Sequence, residues 1–208
     1  MTERRPSFTA SPTSFSSSAR ESWNWPGHEG KEIEVEIYSK YPIVRLYLNG
    51  KLIGEKSTGY AEKFKAVFPI PYEEGILKAV AVVDGKEVES TVLKSAGKAA
   101  KIVMKPSHTT MSADGQDLIF VNVEIQDANG VIEPNAENHI NFEIQGEGTI
   151  LATSSANLQD CEPYINTDRE AWKGQAFVVI KSTKKAGKIV LNATSSGLKR
   201  SKITLKSI

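Results

Sequence analysis

The chain has 208 residues, 39% of them hydrophobic and 25% charged, a balance typical of a soluble globular protein with one large domain or two small ones. Its 26 Lys and Arg residues are matched by 25 Asp and Glu residues, and the net charge of +1 argues against a basic nucleic-acid interface. The single cysteine, Cys161, excludes an internal disulfide and a cysteine-rich zinc site, and no apolar run is long enough to span a membrane.

The first 21 residues predict a flexible lead-in. Residues 1–5 are basic, but residues 6–18 are rich in Ser, Thr and Pro and lack the apolar run of about 7–15 residues that a secretory signal needs. Such a composition is typical of a linker. Two interpretations follow: the protein stays in the cytoplasm, or the chain is an internal piece of a longer exported protein.

Between residues 32 and 92 the sequence predicts six short strands. Residues 32–37 alternate polar and apolar side chains with a period of two, as a half-buried strand does. Asn49-Gly50 and Asp84-Gly85 tolerate positive φ angles and predict tight hairpin turns. The six predicted strands cover residues 32–37, 43–48, 51–53, 64–70, 76–83 and 86–92.

Residues 95–98 are predicted to be a joint, after which the strand pattern begins again. Residues 152–173 have no periodicity and predict a long loop. The strands predicted in this part cover residues 101–105, 118–126, 139–145, 176–181, 189–194 and 202–205. Many short strands separated by turn signals about 8–12 residues apart are typical of β-sandwiches. We therefore predict an all-β chain of two immunoglobulin-like β-sandwich domains in tandem, residues 22–96 and 97–208, after the lead-in 1–21.

The sequence indicates no catalytic constellation. Glu73 and Glu74 are adjacent in a predicted turn and should diverge into solvent, whereas glycosidases hold two carboxyl groups about 5–10 Å apart across a cleft. Residues 114–117 lack the acidic spacing and terminal Glu of a calcium loop. Cys161 has no histidine near it in the sequence. We predict no catalytic residue, no metal site and no cofactor.

Trp23, Asn24 and Trp25 are the candidate site. Two indoles two residues apart would face the same side of an extended segment, where they could stack on sugar rings while Asn24 or His28 donates hydrogen bonds. The alternative is a structural role in the first sandwich, because large aromatic side chains bury about 150–250 Å² each and usually belong to a core.

The motifs along residues 22–208 resemble, in their order, the region that follows the catalytic barrel in glycoside hydrolase family 2. Motifs similar to those of the first domain after that barrel lie at residues 23–27 (Trp-Asn-Trp-Pro-Gly), 29–31, 35–38, 44–51, 54–56 and 71–80. Motifs similar to those of the immunoglobulin-like C-terminal domain of the same enzymes lie at residues 99–103, 113–118 (Ala-Asp-Gly-Gln-Asp-Leu), 182–183 and 186–187.

The resemblance implies a non-catalytic C-terminal fragment of a β-galactosidase-like enzyme of Bacteroidetes type. In that family the two catalytic Glu residues lie on a preceding (β/α)₈ barrel, which needs about 200 residues or more, so no catalytic residue maps onto this chain. The implied role is structural support of the barrel in carbohydrate hydrolysis, with homodimer contacts also possible. Trp23, Asn24 or Trp25 would contact substrate at the edge of a sugar subsite. The implied parent enzyme is periplasmic or secreted.

Two departures from the family and two alternatives remain. Where the family has an apolar stretch and a His, this chain has Arg-Glu-Ser at residues 20–22, and where the family has an Asn-Gly-Asp-Pro loop, this chain has residues 154–160.

One alternative function is that of a carbohydrate-binding module that binds oligosaccharide through Trp23 and Trp25, with Tyr47 and Tyr60 as further aromatics. The other is an adhesin-like tandem of immunoglobulin-type domains.

Overall fold

The structure, a computed structural model, describes residues 6–12 and 21–208. These residues form sixteen β-strands and no α-helix, so the predicted all-β fold class is confirmed. The chain divides into two compact units, one ending at Ser95 and the other beginning at Ala96. Within the described ranges, no helix is long and apolar enough to cross a membrane.

The first unit is built from two antiparallel sheets. Its seven strands are Ser7–Pro12 (β1), Glu32–Tyr38 (β2), Ile43–Leu48 (β3), Lys51–Ser57 (β4), Lys65–Pro71 (β5), Ile76–Val83 (β6) and Lys86–Lys94 (β7). One sheet has the order β1-β2-β5 and the other β4-β3-β6-β7. Alternate side chains of both sheets enter one core, as in a sandwich. Those from β2 and β3 are Ile33, Val35, Ile37, Val44, Leu46 and Leu48.

The strand β1 corrects the prediction of a flexible lead-in. It pairs with β2 from Ser7↔Tyr38 to Pro12↔Ile33, and Ala10 is buried in the core of the unit. An edge strand needs hydrogen-bond partners on one side only, so Ser and Pro are tolerated there. The prediction is therefore wrong for residues 7–12, while the rest of its Ser-rich part, residues 13–20, lies outside the described residues.

The second unit also contains two sheets. Its strands are Lys101–Pro106 (β8), Thr110–Met111 (β9), Leu118–Gln126 (β10), His139–Gly146 (β11), Gly148–Ser154 (β12), Asp168–Glu170 (β13), Gln175–Ser182 (β14), Gly187–Thr194 (β15) and Ser201–Ser207 (β16). The sheet orders are β12-β14-β10-β8 and β13-β11-β15-β16-β9. The two sheets share one core. The side chains that β10 and β15 contribute to it are Ile119, Val121, Val123, Ile125, Ile189, Leu191 and Ala193.

Both predicted hairpin turns of the first unit are present. Asn49 and Gly50 have φ angles of 51° and 81°, and Asp84 and Gly85 have φ angles of 50° and 76°. Positive φ at both central residues is what a type I′ turn requires, and Asn, Asp and Gly adopt it at little cost. The turns fix the registers of β3 with β4 and of β6 with β7, and thereby decide which side chains face outward.

Candidate functional site

The Trp-Asn-Trp segment lies in the first unit and packs around Tyr72. Trp23 is 0% exposed, and its indole N–H donates to the carbonyl oxygen of Glu73 over 2.9 Å. The ring of Trp23 meets the Tyr72 ring edge-to-face, with 5.1 Å between centroids. The backbone N–H of Trp25 donates to the Tyr72 hydroxyl over 3.1 Å, and the Trp25 ring lies 6.3 Å from the His28 ring. These contacts hold the segment against Tyr72 and Glu73, the two residues that follow β5.

The burial of these residues bears on the two interpretations of the sequence. Trp25 and Asn24 are each only 6% exposed, and residues 22–25 belong to no strand, so both indoles can turn inward. A carbohydrate-binding module needs an accessible aromatic strip, and Trp23 and Trp25 do not provide one in this chain. The idea that the segment borders a sugar subsite of a preceding barrel stays a prediction, with Asn24 and Trp25 keeping a small exposed edge.

The Glu73-Glu74 pair lies in the connection between β5 and β6. Asn49 holds this connection, since its Nδ2 atom donates to Glu73 Oε1 over 2.9 Å and to the Glu74 carbonyl oxygen over 3.1 Å. Its Oδ1 atom accepts the backbone N–H of Ile76 at 2.9 Å. Asn49 thus serves both its own hairpin turn and the neighbouring connection. The contacts of Glu73 are those of a residue that stabilises a turn.

The acidic run at residues 114–117 is satisfied by backbone groups. Asp114 Oδ1 accepts the N–H groups of Gln116 and Asp117 over 2.7 and 2.8 Å, and Asp117 Oδ2 accepts that of Ser112 over 2.7 Å. These bonds hold the pKa values of both carboxyl groups below their ordinary range. In the part of the chain that the structure describes, no cluster of three or more His, Cys, Asp or Glu side chains could hold a metal ion.

A buried arginine, which the sequence did not reveal, organises the loop between β12 and β13. The Arg169 side chain is 0% exposed, and its Nη1 atom lies 2.8 Å from Asp160 Oδ2. Its Nη2 atom donates to the carbonyl oxygens of Thr153 and Pro163 over 3.0 and 2.8 Å. The backbone N–H of Glu162 and then the guanidinium hold the pKa of Asp160 below its ordinary value. This set of bonds offsets part of the cost of burying a charge, while the buried Arg169 Nε atom has no hydrogen-bond partner among the described residues.

Cys161 and His139 are not brought into a catalytic arrangement. Cys161 is exposed, and its thiol lies 3.6 Å from the carbonyl oxygen of Gln159. His139 is paired instead with Asp168 across β11 and β13, with 2.8 Å between Nε2 and Oδ2. Both partners of this pair are partly exposed, so the contact is a surface pairing of two neighbouring strands.

These observations define an all-β chain of two sandwiches whose conspicuous polar and aromatic groups hold loops and segments in place. Family models divide it in the same way. Residues 102–204 match the glycoside hydrolase family 2 C-terminal domain 5, and residues 30–89 match a domain of unknown function, DUF4982. The chain belongs to the C-terminal region of glycoside hydrolase family 2, as the resemblance in the sequence predicts.

Similar proteins cover nearly all of this chain but are much longer than it. The β-galactosidase BoGH2A of Bacteroides ovatus is 34% identical over 186 residues, which are 89% of this chain and 22% of that protein. A β-glucuronidase of Formosa agariphila is 27% identical over 89% of this chain and 19% of its own length. A solved family 2 member from Bacteroides cellulosilyticus superposes with a TM-score of 0.92 and 34% identity, over 96% of this chain and 28% of that structure.

Proposed function

We propose that this chain is the non-catalytic C-terminal region of a β-galactosidase-like glycoside hydrolase, and that it supports the catalytic barrel structurally. One observation carries the proposal: the whole fold, at a TM-score of 0.92, corresponds to 28% of a solved family 2 enzyme. A segment of that size leaves room elsewhere in such an enzyme for a barrel of about 200 residues or more. The catalytic activity of the parent enzyme would then belong to its barrel.

The proposed substrate class of the parent is a β-galactoside. Two similar proteins, from Bacteroides ovatus and Thermoanaerobacter pseudethanolicus, carry the name β-galactosidase, at 34% and 28% identity. Two from Formosa agariphila carry the name β-glucuronidase or putative β-glucuronidase, at 27% and 31% identity. The highest of these four identities, 34% over 89% of this chain, belongs to a β-galactosidase and favours a β-galactoside, with a β-glucuronide as the alternative substrate.

The Trp-Asn-Trp segment is the proposed attachment of this region to the barrel. Trp23 is fixed in the first unit by its hydrogen bond to Glu73 and its contact with Tyr72. Asn24 and Trp25 follow directly and retain their small exposed edge. In the parent enzyme, a segment fixed in this way would hold the rim of the cleft at a constant position relative to the first sandwich.

The purified chain should show no glycosidase activity. We expect no hydrolysis of an aryl β-galactoside or an aryl β-glucuronide above the buffer blank, because the proposal assigns both catalytic carboxyl groups to the absent barrel. The assay needs a sample with cooperative unfolding by circular dichroism, and a complete family 2 β-galactosidase as positive control. Turnover that stays with the chain through repeated purification would overturn the proposal.

A further inference from the structure

An open groove lies on the outward face of the sheet β4-β3-β6-β7. Its volume is about 650 Å³, within the range of about 300–1,000 Å³ that is usual for small-molecule sites. The residues that line it are Tyr47, Asn49, Gly50, Ile76, Lys78 and Glu87. The groove belongs wholly to the first unit, and no feature described above accounts for it.

One row of paired residues crosses this face. Tyr47 of β3 lies opposite Leu52 of β4 on one side and Lys78 of β6 on the other, and Lys78 lies opposite Val92 of β7. Directly opposed residues project from the same face of a sheet. Leu52 and Val92 are 50% and 41% exposed. An aromatic ring and an ammonium group therefore stand between two exposed aliphatic side chains.

The ring of Tyr47 is held in place before any ligand arrives. Its hydroxyl donates to Glu87 Oε1 over 2.8 Å. Arg45 Nη1 lies 3.6 Å from the same carboxylate oxygen, and Arg45 Nε lies 2.7 Å from Glu55 Oε2. The hydrogen bond to the Glu87 carboxylate raises the pKa of Tyr47 above its ordinary value. A side chain that is already ordered loses little entropy on binding.

The chemistry of the groove favours a sugar over a protein partner. Lys and Glu are depleted in the cores of protein–protein interfaces, yet Lys78 and Glu87 are two of the six residues that line this groove. An aromatic ring beside groups that both donate and accept hydrogen bonds suits a pyranose, whose C–H groups face the ring and whose hydroxyls point sideways. The ammonium and the carboxylate balance in charge, which favours a neutral sugar over a uronic acid.

We propose that this groove binds a neutral pyranose unit of an oligosaccharide, with the sugar ring against Tyr47 and its hydroxyls within reach of Lys78 and Glu87. Asn49 shapes the end of the groove but is already committed to the connection between β5 and β6. The site would give the region a binding function in addition to the structural one, and it does not depend on what the parent enzyme hydrolyses.

Ligand-detected saturation-transfer NMR on the 208-residue chain tests the site. The probes are lactose, cellobiose, xylobiose and mannobiose, with glucuronic acid as the charged comparison. We expect a saturable signal from the ring protons of at least one neutral disaccharide, and an affinity about tenfold lower in Tyr47→Ala. The matched control is Tyr60→Ala, which removes a ring that is 87% exposed and does not line the groove, and should leave binding unchanged.

Several results would overturn the proposal. These are a flat response to all four disaccharides from a folded chain, a signal that Tyr47→Ala leaves intact, and tighter binding of glucuronic acid than of the neutral sugars. A dimer in sedimentation experiments that Tyr47→Ala dissociates would instead assign the face to a second copy. If Tyr47→Ala fails to fold, Lys78→Ala on the same face takes its place, and its affinity should also fall.

Discussion

Trp23→Ala is expected to lower the free energy of unfolding of the first unit by about 4 kcal/mol, as truncating a fully buried tryptophan usually does. Three contributions are lost together. The cavity left by the indole removes contacts within the core that Trp23 shares with β2 and β3. The carbonyl oxygen of Glu73 loses its donor. The edge-to-face contact with Tyr72 disappears, although such pairs contribute only about 0.5–1.5 kcal/mol beyond burial.

Urea unfolding followed by circular dichroism measures this effect without relying on the tryptophan signal. Trp23→Phe should lie between the wild type and the alanine variant, because it keeps most of the buried surface but not the N–H donor. Tyr60→Ala is the matched surface control and should change stability by less than about 0.5 kcal/mol. If Trp23→Ala unfolds within about 1 kcal/mol of the wild type, the segment is not a structural anchor and the proposed attachment is wrong.

Arg169→Ala is expected to destabilise the second unit by about 3 kcal/mol, at the low end of what removing one partner from a buried ion pair costs, because the Arg169 side chain is fully buried while that of Asp160 is 17% exposed. Asp160 would lose its guanidinium partner, and the carbonyl oxygens of Thr153 and Pro163 would lose a donor. Arg169→Lys should recover little of the loss, because one ammonium cannot reproduce the forked geometry of the guanidinium. The loop between β12 and β13 should become more open to proteolysis.

Arg200→Ala is the control. Arg200 is exposed in the same unit, so its substitution should leave the free energy of unfolding unchanged.

The pH dependence of stability gives a second readout. The folded pKa of Asp160 lies below its ordinary value of 3.8, so its contribution to stability is present above that pH and is lost as the pH falls through the folded pKa. Arg169→Ala keeps the Glu162 bond, so its folded Asp160 pKa should rise part of the way toward 3.8 and less stability should be lost on acidification. The stability difference between the two proteins should therefore shrink as the pH falls below 3.8, and a difference that stays constant would contradict the assigned role of the pair.

The regular strands were predictable because their side-chain pattern is local. The alternation along β2 and β10 is visible in the sequence, and Asn49-Gly50 and Asp84-Gly85 mark the β3–β4 and β6–β7 turns without further information. The short strands β1, β9 and β13 were not predicted, and neither was β12, a strand of seven residues whose end falls in the predicted loop 152–173. Thr110–Met111 and Asp168–Glu170 are two and three residues long, too short to show a period, and β1 gains its stability from pairing with β2 rather than from its own composition.

The candidate site was located by the sequence but not explained by it. The motif at residues 23–25 stands out, yet its burial depends on Tyr72, whose hydroxyl is 47 positions from its Trp25 partner. Arg169 gave no signal, because a lone arginine next to a short strand is normally exposed. The groove at Tyr47 also depends on register: only the pairing of β3, β4, β6 and β7 brings its residues to one face.

The supporting role is tested most directly by exchanging regions between enzymes. This chain would replace the matching segment of the Bacteroides ovatus β-galactosidase, to which it aligns over 186 residues, and the chimera would be compared with that enzyme truncated before the segment. The proposed function predicts that the chimera regains most of the β-galactosidase activity and thermal stability that truncation removes. A chimera that is folded in this region, yet no more active and no more stable than the truncated enzyme, would contradict it.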